Sequence, residues 1–167
     1  MGELRAKLLN AGLFQLGWLA CVFGARQPAL LVIALLCLAA HLRWLARPGE
    51  WRALLAITLF GCGLDSLLLH LGLFDFAGNS PLLPAWLALL WALFASTLDH
   101  SLAWTARPWW LGSLLGALGA PLSYLAGARL AGVELPLGTW PSLAALGVIW
   151  AWVMPLAHWI IATRKAR

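Results

Sequence analysis

Residues 51–74 read WRALLAITLFGCGLDSLLLHLGLF, a run in which Arg52 stands at the edge and Asp65 is the only formally charged side chain inside. A helix needs about 20 predominantly apolar residues to cross the hydrocarbon core of a bilayer. A surface helix of a soluble protein would instead carry polar residues along one whole face. The segment therefore predicts a membrane-spanning helix.

Five further runs of the same kind lie on either side of this segment, at 8–24, 28–46, 82–105, 108–130 and 139–163. The composition agrees, because 63% of the residues are hydrophobic and only 10% are charged. We predict an all-α integral membrane protein, a six-transmembrane-helix bundle that forms one domain over residues 1–167. Little chain is left for a soluble catalytic or nucleic-acid-binding domain, so we expect no nucleic-acid partner.

The basic residues are distributed unequally between the two sides of the predicted bundle. Arg26 and Arg129 fall on one side. The other side carries Arg5, Lys7, Arg43, Arg47, Arg52, Arg107, Arg164, Lys165 and Arg167. Cytoplasmic loops of membrane proteins carry the excess of lysine and arginine. This distribution predicts that both termini are cytoplasmic.

Asp65 is the most costly polar residue of the 51–74 run. A charged side chain at a helix centre costs about 2.5–3.5 kcal/mol on insertion scales, so it needs a partner or a function. With a rise of 1.5 Å per residue, Asp65 lies roughly 21 Å from Trp51, and Tyr124 of the fifth span reaches a similar depth. Two interpretations follow: a polar pocket toward the outer side, with Arg129 as an anion or headgroup clamp, or an interhelical hydrogen bond that fixes packing. The candidate ligand-binding residues are Asp65, Ser66, Ser123, Tyr124 and Arg129.

A second polar group is expected toward the cytoplasmic side. Asp99 and His100 share a face of the fourth predicted span with Ser96, at i, i+3 and i+4. A histidine beside a carboxylate titrates near neutral pH and can relay protons, whereas a structural network is the commoner alternative. The residues lack a diagnostic metal-ligand spacing and no cofactor motif occurs, so we predict neither a metal nor a cofactor. The predicted inner polar cluster is Asn10, His41, Asp99 and His100.

Gly112, Gly116 and Gly119 line one side of the fifth span at three- and four-residue spacing. Small residues at this spacing let the backbones of neighbouring membrane helices approach closely. We predict a helix-packing surface here, used within the chain, by a partner membrane protein or by a second copy. The other expected partners are membrane lipids.

Several segments resemble one uncharacterised bacterial inner-membrane family, the domain of unknown function 2878. They are NAGLFQLGWLAC at 10–21, HLR at 41–43, GLDSLLL at 63–69, TLDHSL at 97–102 and PLSYLAGAR at 121–129. The resemblance covers nearly the whole chain and implies a small six-helix protein of the bacterial inner membrane. It also implies gene neighbours for fatty-acid modification of the cyclopropane-synthase type. Asp99 departs from the family pattern, in which asparagine is commoner before the histidine, so Asp65 and His100 are the stronger candidates.

Three functions fit these residues. The first is a membrane protein that binds a lipid or fatty acid or assists its modification. The second is the substrate-binding subunit of a vitamin-type transporter, because six spans and internal termini resemble the energy-coupling-factor components. The third is a non-catalytic membrane scaffold for a partner enzyme. No catalytic motif of a known class occurs, so a non-enzymatic role is favoured.

Overall fold

The computed structural model describes residues 2–76 and 83–165, with side chains as far as Thr163, and the described part of the chain is helical apart from turns and one isolated bridge. The helices are α1 (Glu3–Gly24), α2 (Leu31–Trp44), α3 (Glu50–His70), α4 (Ala85–Ala95), α5 (Trp109–Ala131) and α6 (Thr139–Lys165). Short 3₁₀ turns at Pro28–Leu30 and Ala103–Ala106 precede α2 and α5. The predicted all-helical class is confirmed.

Four of these helices, α1, α3, α5 and α6, are long and apolar enough to cross a membrane. Together with the hydrophobic composition, they are typical of a multi-pass membrane protein. The other two apolar helices are shorter: α2 with its 3₁₀ turn covers Pro28–Trp44, and α4 covers Ala85–Ala95.

Hydrogen bonds show which helix ends meet. Asn10 near the start of α1 contacts His41 near the end of α2 and the carbonyl of Ser96, just after α4. His41 in turn contacts Glu50, the first residue of α3. At the opposite end, the backbones of Asp75 and Glu134, beyond α3 and α5, form an antiparallel bridge. We call these the N-terminal end and the opposite end of the bundle.

Helix α4 lies in the middle of the packing. Trp91 and Leu87 belong to the larger core with α3 and α6, whereas Leu93 belongs to the smaller core with α1 and α2. Gly17 allows this, because a Cβ atom there would lie 2.7 Å from Leu93 Cδ1. A short central helix thus links the two halves of the bundle.

The predicted continuous helix over 82–105 is wrong in its second half, and Leu82 lies outside the described residues. The helix ends at Ala95, and turns follow through residue 102. Ser96 Oγ and Thr97 Oγ1 donate back to the carbonyls of Leu93 and Phe94, a pattern that competes with continued helix. The Asn10 side chain then binds both ends of the turn, at the Ser96 carbonyl and the Ser101 amide. Ser96, Asp99 and His100 therefore do not share a helical face.

The three glycines of α5 have different surroundings. A Cβ atom at Gly112 would lie 2.8 Å from the carbonyl oxygen of Thr105, and one at Gly116 would collide with the carbonyl of Trp150 on α6. At Gly119, no atom beyond the backbone of the same helix lies within 4 Å of the Cβ position. Gly112 and Gly116 thus serve packing inside the chain, and Gly119 faces open space.

Candidate functional site

The bundle contains a cavity of about 380 Å³. Its lining comes from α1, α4, α5 and α6, from the segment 102–105 that precedes α5, and from the loops beyond α3 and α5. It extends from Thr105 and Trp104, next to the start of α5, to Phe74 and Val133 near the opposite end. The cavity therefore runs along the bundle for much of the length of α5.

Aromatic rings form the main wall of this cavity. Trp91 and Trp150 stack with their ring centroids 5.1 Å apart, and Phe74 stacks on Tyr124 at 5.5 Å. Phe94 meets the Trp150 ring edge to face at 5.2 Å. Each such pair stabilises the fold by about 0.5–1.5 kcal/mol in addition to the free energy gained from the area that it buries. The stacked rings therefore hold one another in place as a pre-formed wall.

Asp65 lies behind this wall and has no exposed surface. Trp91 Nε1 donates to its Oδ2 at 2.7 Å, and the Tyr124 hydroxyl donates to Oδ1 at 2.9 Å. Gly61, one turn before Asp65 on α3, permits this contact, because a Cβ atom there would collide with the Trp91 indole. The carboxylate thus fixes two rings that face the cavity and does not itself line it. Of the two interpretations offered for Asp65, a ligand pocket or an interhelical hydrogen bond, this contact is the interhelical hydrogen bond.

The other predicted residues of that pocket lie apart from Asp65. Ser123 lines the cavity, where its Oγ accepts from Trp18 Nε1 on α1 at 3.1 Å. Ser66 is half-buried on α3, and its carbonyl oxygen accepts from His70 Nδ1 at 2.7 Å. Arg129 is exposed near the opposite end, whereas the groups that contact Asp65 in the described chain are Trp91 and Tyr124. The structure therefore joins Asp65 with Tyr124 and leaves Ser66, Ser123 and Arg129 outside that contact.

A second buried polar site lies at the N-terminal end, around a residue that the sequence analysis missed. Glu50 is 1% exposed. Its Oε1 accepts from His41 Nε2 at 3.0 Å and from His100 Nε2 at 3.1 Å, and its Oε2 accepts from the Arg47 amide at 2.8 Å. The predicted residues His41 and His100 therefore do meet, through a carboxylate between them.

Asn10 completes this site, and all of its side-chain hydrogen-bonding groups have partners. Its Oδ1 accepts from the amide and the hydroxyl of Ser101, at 3.1 and 2.6 Å. Its Nδ2 donates to the Ser96 carbonyl at 3.0 Å and contacts His41 Nδ1 at 3.2 Å. Since a backbone amide only donates and a carbonyl only accepts, the orientation of the Asn10 amide is fixed.

Asp99, the fourth predicted member, is buried but contacts a different partner. Its Oδ1 accepts from Arg47 Nη1 at 3.2 Å, and this arginine is 55% exposed. Arg47 therefore touches both carboxylates of the site, Glu50 through its amide and Asp99 through its side chain. The site thus links five side chains through direct contacts: the carboxylates of Glu50 and Asp99, the imidazoles of His41 and His100, and Arg47.

The geometry of this group also suits a metal ion at first sight. One ligand atom from each of His41, Glu50 and His100 lies within 4.8 Å of the other two. A histidine that binds metal through one ring nitrogen usually donates from the other nitrogen to an acceptor. Here Asn10 donates to His41 Nδ1, so that nitrogen carries no proton and Nε2 must carry it. The side-chain amide of Asn10 therefore sets the His41 tautomer in which Nε2 donates to Glu50, and this tautomer has no free lone pair on Nε2 for a cation.

Sequence reasoning missed Glu50 and Trp91 for different reasons. An acidic residue in the first turn of a helix is normally explained by the helix dipole, so Glu50 drew no attention. The sequence feature that could have identified Glu50 is its position at the start of a predicted span, on the same side of the membrane as His41 and His100. Trp91 lies on a helix whose bounds were predicted incorrectly, so its depth could not be compared with that of Asp65.

Comparisons with known proteins place the chain in a family but match no individual protein. Neither the curated proteins nor the solved structures contain a match to this chain. A family model described as Protein of unknown function (DUF2878) matches residues 7–156. The resemblance predicted from the sequence is confirmed, and the chain belongs to the DUF2878 family.

Proposed function

We propose that this protein holds an apolar lipid chain in the cavity between its helices. The observation that carries the proposal is the cavity itself, because about 380 Å³ falls within the range of roughly 300–1,000 Å³ of ligand sites. Its lining is mostly aromatic and aliphatic, and Gly119 leaves open space at the wall on α5. Such a surface favours the acyl chain of a membrane lipid or a fatty acid.

The polar groups of the bundle support this choice over a water-soluble solute. Asp65 is covered by Trp91 and Tyr124, and Glu50 lies outside the cavity lining. A vitamin-type ligand would need several converging polar groups to replace its hydration. The lining instead provides rings that an acyl chain can contact along its length. The scaffold function is favoured less, because Gly112 and Gly116 are used inside the chain.

We further propose that all six helices cross a bacterial inner membrane with both termini in the cytoplasm. Helix α2 runs from Leu31, beside Gly24 at the end of α1, back to His41 beside Asn10, which supports a crossing of the same layer as α1. The α4 segment does the same from Trp86, beside Phe76, to Ser96. The arginines near the N-terminal end favour the cytoplasm for that side.

A reporter fused after Arg167 tests this topology. Green fluorescent protein is expected to fluoresce there, since it folds in the cytoplasm, and alkaline phosphatase is expected to be inactive. Active phosphatase with dark fluorescent protein would place the C-terminus outside and contradict the proposed orientation.

Blocking the cavity tests the proposed function. The substitution Gly119→Leu adds a side chain in open space at the cavity wall. We expect at least a tenfold loss of co-purified lipid or fatty acid, measured by mass spectrometry of the protein in nanodiscs, because the leucine fills the volume that the chain would occupy.

The matched control is Gly63→Leu on α3. Gly63 is also exposed and helical, and no atom beyond the backbone of its own helix lies within 4 Å of its Cβ position, but it does not line the cavity. This variant is expected to retain the wild-type amount of bound lipid. Equal retention by both variants, with both monodisperse, would show that the cavity is not a lipid site.

A further inference from the structure

The two ends of the cavity are built differently. At the opposite end, the lining residues Phe74 and Phe76 are 4% and 7% exposed, and the Phe74 ring stacks on Tyr124. The backbone bridge between Asp75 and Glu134 joins the loops beyond α3 and α5 at the same place. In the described part of the chain, this end of the cavity is therefore covered by aromatic rings and paired backbone.

At the N-terminal end, the cavity reaches an exposed aromatic residue. Trp104 belongs to the lining and is 56% exposed. It follows closely after Ser101, whose hydroxyl donates to Asn10. Other exposed tryptophans lie at the helix termini of that end: Trp44, Trp51, Trp109 and Trp110. Since tryptophan is enriched where a membrane meets water, the cavity extends to the level of the lipid headgroups at this end.

The two ends also differ in charge. At the opposite end, the basic Arg26 and Arg129 accompany the acidic Asp75 and Glu134. At the N-terminal end of the described chain, the basic residues are Arg5, Lys7, Arg43, Arg47, Arg52 and Arg107, and the acidic residues are Glu3, Glu50 and Asp99. Basic residues beside a membrane attract anionic headgroups within about one Debye length. The N-terminal end is thus the more favourable place for a negative headgroup.

Arg107 is the basic residue nearest in sequence to the cavity lining at this end. It follows shortly after Trp104, directly precedes Pro108 at the start of α5, and is exposed. Arg129 is also exposed, but it lies in the last turn of α5, at the covered end of the cavity. Of these two arginines, Arg107 is therefore the one placed to meet a headgroup at the open end.

The cavity suits an acyl chain but not a headgroup. Its volume of about 380 Å³ is near the lower limit of the roughly 300–1,000 Å³ of ligand sites. The hydroxyl groups of its lining, on Thr105, Ser123 and Tyr124, are already hydrogen-bonded within the chain. Because a charged group without such partners is costly to bury, the headgroup stays outside. The chain can enter from the side, since Gly119 and Ser123 of the lining are exposed.

We infer that the lipid of the cavity is anionic, that its headgroup lies at the N-terminal end beside Arg107, and that its acyl chain runs along α5 toward Phe74 and Tyr124. This inference rests on the proposed lipid function and adds the charge of the headgroup and the direction of the chain. In the proposed topology, the headgroup belongs to the cytoplasmic leaflet. The chemistry recognised is an acyl chain that carries a carboxylate or a phosphate.

Photo-cross-linking with two probes tests the direction of the chain. The full-length protein in phosphatidylcholine vesicles receives phosphatidylglycerol with a diazirine either next to the ester or at the end of one acyl chain. Labelled residues are mapped by tandem mass spectrometry. We expect the ester-side probe to label Leu102 and Leu115, and the chain-end probe to label Phe74 and Tyr124. The reversed order would overturn the inference, because it places the headgroup at the opposite end, while the lipid function itself would stand.

The matched variants Arg107→Gln and Arg129→Gln test the charge of the headgroup. Occupancy is measured as the label at Met154 in the cavity relative to the label at the outward-facing Leu118. Wild type is expected to prefer phosphatidylglycerol over phosphatidylcholine with the same diazirine by roughly fivefold, the effect of about one charge at a membrane surface. Arg107→Gln should lower this preference below about twofold, and Arg129→Gln should keep it. A preference that is missing in wild type, or unchanged in Arg107→Gln, would contradict the inference.

A free fatty acid with a diazirine at the chain end distinguishes the two sources of an anionic headgroup. Stronger cavity labelling by the fatty acid would make the headgroup a carboxylate, and stronger labelling by phosphatidylglycerol would make it a phosphate. Either result supports the inference. If no probe labels the cavity, the proposed lipid function is rejected, and this inference is rejected with it.

Discussion

Replacing Glu50 by leucine is expected to lower the free energy of unfolding by about 3–5 kcal/mol, the usual cost of removing one partner from a buried charged group. The leucine would leave the Nε2 donors of His41 and His100 and the Arg47 amide without their acceptor. Unfolding followed by tryptophan fluorescence in detergent measures the change. Glu50→Gln should fall between this variant and the wild type, because its carbonyl still accepts from one imidazole.

The control for this prediction is Glu3→Leu. Glu3 also begins a helix at the N-terminal end, but its side chain is 83% exposed and pairs with Lys7 on the surface. Its removal is expected to leave the unfolding transition unchanged. If Glu50→Leu were as stable as Glu3→Leu, the buried group would not hold α1, α2, α3 and the 96–102 turn together.

A second large effect is expected at Asp65, where leucine and asparagine should behave differently. Leucine would orphan the Trp91 indole and the Tyr124 hydroxyl, and each buried donor without an acceptor costs about 1–3 kcal/mol. In asparagine, an amide oxygen in the place of Oδ2 can still accept from both donors, because Trp91 Nε1 and the Tyr124 hydroxyl lie 2.7 and 3.1 Å from that atom. Asp65→Asn should therefore stay close to wild type in stability.

Lipid retention separates a positioning role of Asp65 from a direct one. Asp65→Asn keeps both rings in place and is expected to retain the bound lipid, whereas Asp65→Leu should lose much of it together with stability. Asp75→Leu, at an exposed carboxylate near the opposite end, should change neither quantity. Lipid lost from a stable Asp65→Asn protein would mean that the charge itself contacts the ligand.

The contact between Asp65 and Tyr124 illustrates what a membrane sequence can predict. Both residues lie on helices that begin at the same end, and a constant rise per residue places them at the same depth. However, the depth of a residue in the membrane does not say in which direction around the helix axis its side chain points. The sequence could not show that Trp91 covers the carboxylate, or that Ser66 and Arg129 lie elsewhere.

The break after Ala95 could not have been predicted from local sequence. Residues 96–102 include apolar and small side chains that suit a helix, and the turn depends on Asn10, which is 86 positions from Ser96 in the chain. Glu50 was missed for a similar reason, because its imidazole partners lie 9 and 50 positions away. Buried polar groups are specified by distant residues, whereas the apolar spans are specified by their own composition.

The claim that an acyl chain occupies the cavity is tested most directly by cross-linking. Wild-type protein is reconstituted into phosphatidylcholine vesicles that carry a photoactivatable acyl chain, irradiated, and the labelled residues are mapped by tandem mass spectrometry. The account predicts labels at the half-buried Phe14 and the buried Met154, which line the cavity, and weaker labels at both in Gly119→Leu. Labels confined to the outward-facing Leu118 and Leu122 of α5, and equal in both proteins, would contradict it.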